Sequence, residues 1–441
     1  MNDQDTIYAL ATARGRAGVA VVRVSGLAAG QVVEALAGRC PLPRQASLRV
    51  LRHPKTGAEL DQALVLWFPA PSSFTGENVV EFHIHGGLAV GRAVLDAIAA
   101  VSGTRPAEAG EFTRRAFHNG RLDLTAVEGL ADLIAAETES QRRQALRQTQ
   151  GRMAEVFNGW RQRLISALTY VEAGIDFTDE ELPENVMANA RPEVAALLAE
   201  IEAALADQGR GERMRDGLEV AIIGPPNAGK SSLLNALARR EVAIVSSHAG
   251  TTRDVIEVHL DLGGYAVTLV DTAGLRDAGD EIEAEGIRRA STRAEMADVR
   301  LLLIPAVDWP QVPEAVARLA HLPNTWRVIS RADEKPGVDG ALRLSVKTGE
   351  GMDDLIRRLQ AQAVESMGTG ESVLITRARH REALTRASGH LTAFLNQDWT
   401  DREELAAEEL RLAARALSSL TGLVGVEDVL GAIFSEFCIG K

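Results

Sequence analysis

The sequence predicts a multidomain chain of mixed α/β and α character. An α+β N-terminal domain comes first, then a helical bundle, and a doubly wound parallel-sheet domain is inserted into that bundle. Three observations carry this reading. A glycine-rich, lysine-containing loop at 224–231 sits between a strand-like and a helix-like segment. Helix-forming residues dominate from 121 to about 210 and return from Leu374 onward. Before both, residues 1–118 alternate short strand-like and helix-like runs. The boundaries that follow are 1–118, 119–214, 215–366 and 367–441.

The inserted domain is read first because its chemistry is explicit. Gly224-Pro225-Pro226-Asn227-Ala228-Gly229-Lys230-Ser231 fits G-x-x-x-x-G-K-[ST]. The apolar run Leu218–Ile223 before it suits a buried strand, and Ser232-Leu233-Leu234-Asn235-Ala236-Leu237 after it has leucines at helical spacing. In that setting backbone N–H groups from Asn227, Ala228 and Gly229 through Ser232 wrap a phosphate, aided by the partial positive charge of a helix N-terminus. Lys230 would reach the outer phosphates, and the Ser231 hydroxyl would ligate Mg2+. A second buried-strand pattern, Tyr265–Val270, leads into Asp271-Thr272-Ala273-Gly274. An Asp there holds magnesium through water, and Gly274 offers an N–H to a γ-phosphate. Gly250-Thr251-Thr252-Arg253-Asp254 lies between, a switch-like loop whose Thr252 can close on the same metal. Together these elements predict a nucleoside triphosphatase.

Strand-like Leu301–Ile304 and Arg327–Ile329 are followed by Ser330-Arg331-Ala332-Asp333. GTPases usually read Asn-Lys-x-Asp at this point. Asp333 keeps the carboxylate that accepts two guanine N–H groups, and Arg331 can lie against a base. Ser330 lacks the carboxamide that would tie this loop to the phosphate loop. Ser345-Val346-Lys347 stands where a second guanine-contact loop is expected. GTP is therefore favoured over ATP.

Bulk properties narrow the rest. A chain of 441 residues has room for about three domains. Net charge of -13 argues against coating nucleic acid by charge alone, although a local basic patch stays open. Cys40 and Cys438 lie far apart with no metal-ligand spacing, which favours a reduced, cytoplasmic setting. With no apolar run of spanning length and no basic leader, no membrane association is expected.

In residues 1–118, Val19–Val24, Ala63–Phe68 and the alternating Val79–His85 read as strands, and Leu88–Ile98 as a helix. Arg23, Glu81, His83 and His85 fall inside or beside these strands; from periodicity they read as a solvent face or a hydrogen-bonded edge. Within the helical stretch, Gln141–Arg152 is rich in glutamine and arginine. It reads as a solvated helix, with contact to a polyanion as the alternative.

With these residues in view, the chain resembles the MnmE (TrmE) family of tRNA-modification GTPases over essentially its whole length. The resemblance rests on Asp5-Thr6-Ile7, Val22–Gly26, Ser73–Glu77 leading to His85-Gly86-Gly87, Gly110–Phe117, the nucleotide-domain motifs and the terminal Phe437–Lys441. It implies a Ras-like inserted G domain and an N-terminal domain that binds 5-formyl-tetrahydrofolate or a related carrier. It implies a homodimer joined through the N-terminal domains. It also implies a heterotetramer with an FAD-containing MnmG-type partner that acts on tRNA at carbon 5 of the wobble uridine. Arg23, Glu81, Arg121 and Lys441 match the family's folate contacts. Cys438 matches its C-terminal cysteine, for which a nucleophilic role and a packing role both stand.

For hydrolysis, Leu275 occupies the place of a water-orienting glutamine and cannot orient water. The resemblance implies two substitutes. One is a K+ site at Asn227, completed by Ser246, His248 and Thr251; the surrounding Ser247, Ala249, Gly250 and Thr252 also face the nucleotide. The other is Glu283, matching a glutamate that orients the attacking water; by residue type alone, Asp280–Glu285 is an acidic helix start. Two rival readings stay open. One is an Era-type RNA-binding assembly GTPase, which would not need residues 1–118. The other is a folate-dependent one-carbon enzyme with a merely regulatory GTPase domain.

Overall fold

The computed structural model describes residues 5–176, 186–244, 257–271, 292–312, 314–368, 373–399, 402–424, 430–431, 433–434, 437 and 440. The chain divides into two compact units. One comprises Met1–Ala131, Gln148–Ser166 and Arg411–Lys441; the other comprises Asp132–Arg147 and Ala167–Leu410.

The first unit is built on a six-stranded sheet in the order β3-β4-β5-β2-β1-β6. Its strands are β1 (Thr6–Leu10), β2 (Ala17–Ser25), β3 (Ser47–Arg52), β4 (Glu59–Phe68), β5 (Val79–Gly86) and β6 (Thr104–Pro106). Neighbours are antiparallel except β1 with β6. Period-two alternation sets the two faces. Val22, Val24, Val80, Phe82 and Ile84 are buried in a core with Val32, Val33, Val94 and Ile98 from the helices Ala29–Ala37 and Leu88–Ala99. Arg23 and Glu81 occupy alternate positions along the same strands, directly opposite each other in register. A smaller cluster joins Leu124 and Val127 of the helix Leu124–Ala135 to Leu430, Ile433, Phe434 and Phe437.

The second unit holds the other six-stranded sheet, ordered β12-β11-β10-β7-β9-β8. Its strands are β7 (Leu218–Ile223), β8 (Glu257–Asp261), β9 (Ala266–Asp271), β10 (Val299–Pro305), β11 (Thr325–Ser330) and β12 (Leu342–Arg343). Only the β8–β9 pair is antiparallel. A parallel sheet must be covered on both faces, and its strands read as continuous apolar runs for that reason. Alternate residues of β7 and β10 feed two cores. Val220, Ile222, Leu301 and Leu303 pack with Leu234, Leu355 and Leu359 on one side. Ala221, Ile223, Leu302 and Ile304 pack with Ala294, Val316 and Leu319 on the other. This is the doubly wound arrangement.

In the same unit the helix Val186–Leu205 runs against the helix Ala378–Asn396, and the Arg191 guanidinium donates to the Leu395 carbonyl at 2.8 Å. The segments before and after the sheet domain are therefore packed partners. The helical reading from Leu374 onward needs a correction: Val373–Thr376 is not helical, and the helix begins at Ala378 after an extended Arg377. This non-helical stretch lies close against Gly211, where a Cβ would fall 1.9 Å from the Ile375 carbonyl oxygen. Among the described residues, no helix is long and apolar enough to cross a membrane.

Candidate functional site

β7 delivers the chain to the phosphate loop at the carboxyl edge of the parallel sheet, where doubly wound folds place their ligands. Backbone geometry there is demanding. Gly224 lies so close to β10 that a Cβ would meet the Leu303 carbonyl oxygen at 2.6 Å. Asn227 adopts φ 60°, a left-handed conformation that Asn tolerates better than most residues. Gly229, at φ 93°, opens the helix Lys230–Ala238, which is anchored by buried Leu233, Leu234 and Leu237. The Lys230 ammonium donates to the carbonyls of Gly224 (2.8 Å) and Pro225 (3.0 Å). The Ser231 hydroxyl donates to Oδ2 of Asp271 at 3.0 Å, bringing the ends of the first and second motifs together. Asp271 is 7% exposed, and its Oδ1 is buried with no hydrogen-bond partner among the described residues. A hydroxyl and a carboxylate with an unused oxygen form a hard-oxygen donor set of the kind magnesium takes.

Opposite lies the base-recognition loop. The phosphate loop from Pro226 to Leu233 and the residues Ser330, Arg331, Asp333, Val346 and Lys347 line one cleft of about 800 Å³. Asp333 is held in place: Oδ1 accepts the Ser345 hydroxyl at 2.7 Å, and Lys347 Nζ stands 3.9 Å from Oδ2. That hydroxyl, with the Lys347 and Arg331 charges, holds the Asp333 carboxyl below its ordinary pKa, so it stays an acceptor. The Ala332 N–H donates to the Leu344 carbonyl at 3.0 Å, which fixes the two halves of the loop to each other. Arg331 sits at φ 53° and pairs with Glu334.

A second candidate site lies in the other unit. Arg23 donates through Nε (3.0 Å) and Nη2 (2.8 Å) to Oε1 of Glu81, whose Oε2 is 3.2 Å from Nε2 of His83. The Arg23 guanidinium lies 5.3 Å from the Phe74 ring centroid and 5.8 Å from that of Phe112. Arg121 stands against the same loop, since a Cβ on Gly76 would be 3.4 Å from Arg121 Cγ. The loop is fixed from beneath. The Ser25 hydroxyl bonds Thr75 Oγ1 (2.7 Å) and Glu77 Oε2 (2.6 Å), and Arg115 donates to Glu77 at 3.1 Å. Arg115 also donates to Glu111 at 3.1 Å, and Arg105 grips both Glu111 oxygens at 2.7 and 2.9 Å. Burial alone would raise the Glu111 pKa, but Arg105, the Glu108 N–H and Arg115 outweigh it and bring it down to about 2. Sequence reasoning noted Glu77, Glu111 and Arg115 as marks of resemblance and assigned them no work. Their signal was a set of charged side chains in segments that also carry Phe74 and Phe112.

Comparison with known proteins settles the family. Residues 6–121 match the model of the GTP-binding protein TrmE N-terminus, and residues 124–438 match that of the MnmE helical domain. The chain belongs to the MnmE family. A tRNA modification GTPase MnmE of Parvibaculum lavamentivorans is 54% identical over 441 residues, covering 99% of this chain and 100% of that protein. Another, from Rhodopseudomonas palustris, is 52% identical over 444 residues, covering 99% of each. A crystal structure of Aquifex aeolicus Era bound to GDP·AlF4− is 22% identical, covering 41% of this chain and 68% of that one, with a TM-score of 0.27. The assignment stands on the family models and the full-length relatives. This MnmE-family chain is accordingly a GTP hydrolase of tRNA modification, and the family implies binding of GTP and magnesium.

Several residues singled out in the sequence lie outside those described: Ser246 to Thr252, Thr272 to Gly274, Glu283, Cys438 and Lys441. Among the rest, the fold brings Asn227–Ser232, Asp271, Ser330–Asp333 and Ser345–Lys347 to one region of the G domain. It brings Arg23, Glu81 and Arg121 to the Phe74–Gly76 loop.

Proposed function

We propose that this chain is a potassium-activated GTPase which, with an FAD-containing MnmG-type partner, forms the aminomethyl or carboxymethylaminomethyl group at C5 of the wobble uridine of certain tRNAs, drawing on a tetrahydrofolate one-carbon unit. The observation that carries the reading is the cleft in which the phosphate loop faces Asp333, in a chain that matches MnmE relatives from end to end. The working assembly is a cytoplasmic homodimer joined through residues 1–118, extended to a heterotetramer by the partner. GTP hydrolysis drives a cycle in which the G domains pair and separate.

In this mechanism the N–H groups of Asn227 to Ser232 surround the phosphates, and Lys230 exchanges the Gly224 and Pro225 carbonyls for phosphate oxygens. Ser231 and Thr252 would hold magnesium, with Asp271 acting through water, and the chemistry the ion would supply is neutralisation of phosphate charge. Asp333 accepts from the donor edge of guanine. Asn227, with Ser246, His248 and Thr251, would hold potassium, whose chemistry there would be to add positive charge against the charge that develops on the phosphate oxygens. Glu283 orients the attacking water, a task Leu275 cannot perform. Cys438 keeps two roles open, nucleophile or packing residue. In the N-terminal domain the paired Arg23 and Glu81, with Arg121 and Lys441, bind the folate. A guanidinium and a carboxylate beside two aromatic rings suit a flat heterocycle with both donors and acceptors.

GTP hydrolysis measured in potassium and in sodium at matched ionic strength, over a range of protein concentrations, tests the reading. Strong stimulation by potassium, rising with protein concentration and unmatched by ATP turnover, is the expected result. Equal rates in the two salts would overturn the cation mechanism.

A further inference from the structure

The turn joining β8 to β9 ties the nucleotide site to the helical segment that precedes the G domain. β9 ends at Asp271, whose Oδ2 accepts the Ser231 hydroxyl at 3.0 Å. Seven residues earlier, in the turn before the strand, the Gly264 carbonyl accepts two bonds from Ser140: the backbone N–H at 3.0 Å and the hydroxyl at 2.5 Å. Ser140 lies in the first turn of the helix Glu139–Thr149. A helix start leaves its first N–H groups without helical partners. For Ser140 the partner is the G-domain turn, so this helix start is complete only while the turn stays in place. A second strut runs beside it. His259 of β8 stands 3.6 Å from Glu137 through Nδ1 and 3.7 Å from Glu257 through Nε2, and Arg293 pairs with Glu257 at 2.6 Å. Gln141 sets Glu137 in place, accepting the N–H groups of Glu137 and Thr138 at 3.0 Å while donating to the Arg215 carbonyl at 2.9 Å.

The hairpin between these ends moves as one piece. β8 pairs with β9 from Glu257–Val270 to Asp261–Ala266, and Val242 and Ile244 bond the outer edge of β8. The turn closes on itself, with the Leu262 N–H on the Tyr265 carbonyl at 2.9 Å and the Gly264 N–H on Asp261 Oδ1 at 2.6 Å. Its other side rests on the helix Met352–Met367, where a Cβ on Gly263 would lie 2.4 Å from Gln360 Nε2. All these residues belong to the second unit. At about 3.3 Å per residue, a displacement at Asp271 is carried to a point about 23 Å away. We propose that the β8–β9 hairpin is a lever that transmits the nucleotide state from Asp271 to residues 137–143, with the Gly264–Ser140 pair as its output contact. The assignment rests on nucleotide and magnesium binding at the cleft described above and adds the route by which that binding reaches the helical segment. Coupling of this kind is reciprocal, so loosening the output contact must also alter the preference of the cleft between nucleotides.

Hydrogen exchange of the full chain with GDP and with the non-hydrolysable GMPPNP, each with Mg2+ and K+, reads the output, and calorimetric titration reads the reciprocal effect. One ordinary hydrogen bond sets the scale. In wild type, replacing GDP by GMPPNP should change the protection of a peptide covering residues 137–143 about three- to tenfold. Ser140→Ala and Glu137→Gln should lessen that change and shift the ratio of GMPPNP to GDP affinity by a comparable factor, with both nucleotides still bound. Variants that scale both affinities equally, or leave both unchanged, would overturn the lever, since a merely structural contact does not distinguish the nucleotides. Equal protection of residues 137–143 in wild type with the two nucleotides would overturn it and leave the reading of the cleft intact. Binding of neither nucleotide by wild type would overturn both.

Discussion

Replacing Glu111 by Gln tests whether the buried ion network under the Phe74–Gly76 loop organises the N-terminal domain. Glu111 is 2% exposed and receives four hydrogen bonds: two from Arg105, one from Arg115 and one from the Glu108 N–H. Gln conserves volume but removes the charge and turns one acceptor into a donor aimed at a guanidinium. Removing one partner of a buried pair costs about 3–5 kcal/mol, because the remaining charge stays buried without compensation. An independent route gives a similar size. A carboxyl lowered from 4.5 to about 2 contributes about 3 kcal/mol. The sign follows from the depressed folded value: this contribution is present above about pH 4.5 and lost as pH falls toward 2. Hydrogen exchange followed by mass spectrometry is the suitable assay, since a chain of two units need not unfold in one step. At pH 7, peptides covering Thr6–Leu10 and Thr104–His118 in Glu111→Gln should lose protection by about a hundredfold, with β7 and β10 unchanged. Between pH 5 and pH 3, wild type should lose protection in the same peptides while the variant changes little. A drop of less than about threefold at pH 7 would refute the argument, because the buried Glu111 charge would then be dispensable to the domain.

Two further outcomes follow from the G domain. Glu283→Ala should bind GTP with near wild-type affinity yet hydrolyse it at least about tenfold more slowly; near-normal turnover in single-turnover kinetics would remove Glu283 from the mechanism. Gly351→Ala should destabilise the base-recognition loop. Gly351 has φ 72°, a Cβ there would lie 1.8 Å from the Arg343 carbonyl oxygen, and the adjacent Glu350 carbonyl accepts the Ser345 N–H at 3.0 Å. A loss of about 2–4 kcal/mol in thermal melting, with weakened GDP binding, is expected, and an unchanged melting curve would contradict it.

The sequence made the nucleotide site legible where chemistry and periodicity coincide. β7, β9, β10 and the carboxyl half of β11 are buried, so they stand out as apolar runs, and β7, β9 and β11 each deliver a motif at the carboxyl end. Other strands were hidden for physical reasons. β3 is an edge strand whose Leu48 and Val50 are exposed while only Leu51 is buried, which blurs the alternation. β12 is two residues long, set by pairing with β11 rather than by its own composition. The network around Glu111 was the least legible part. Arg115 reaches the Asp5 carbonyl 110 positions away and Glu77 38 positions away, and no local pattern foretells such partners. Arg23 and Glu81, 58 positions apart, read as a solvent face because alternation reports which face a residue occupies and not what stands opposite it.

The near contact of Gly211 with Ile375 has a consequence for how this protein can be taken apart. The chain enters the G domain and leaves it at one spot, with the backbone of one limb in the space a side chain of the other would need. An inserted domain whose ends meet adds little loop-closure entropy to its host, and its host can close over the gap when it is absent. Residues between these two points can therefore be excised and the ends joined by a linker of a few residues, without the surrounding helices having to move to meet it.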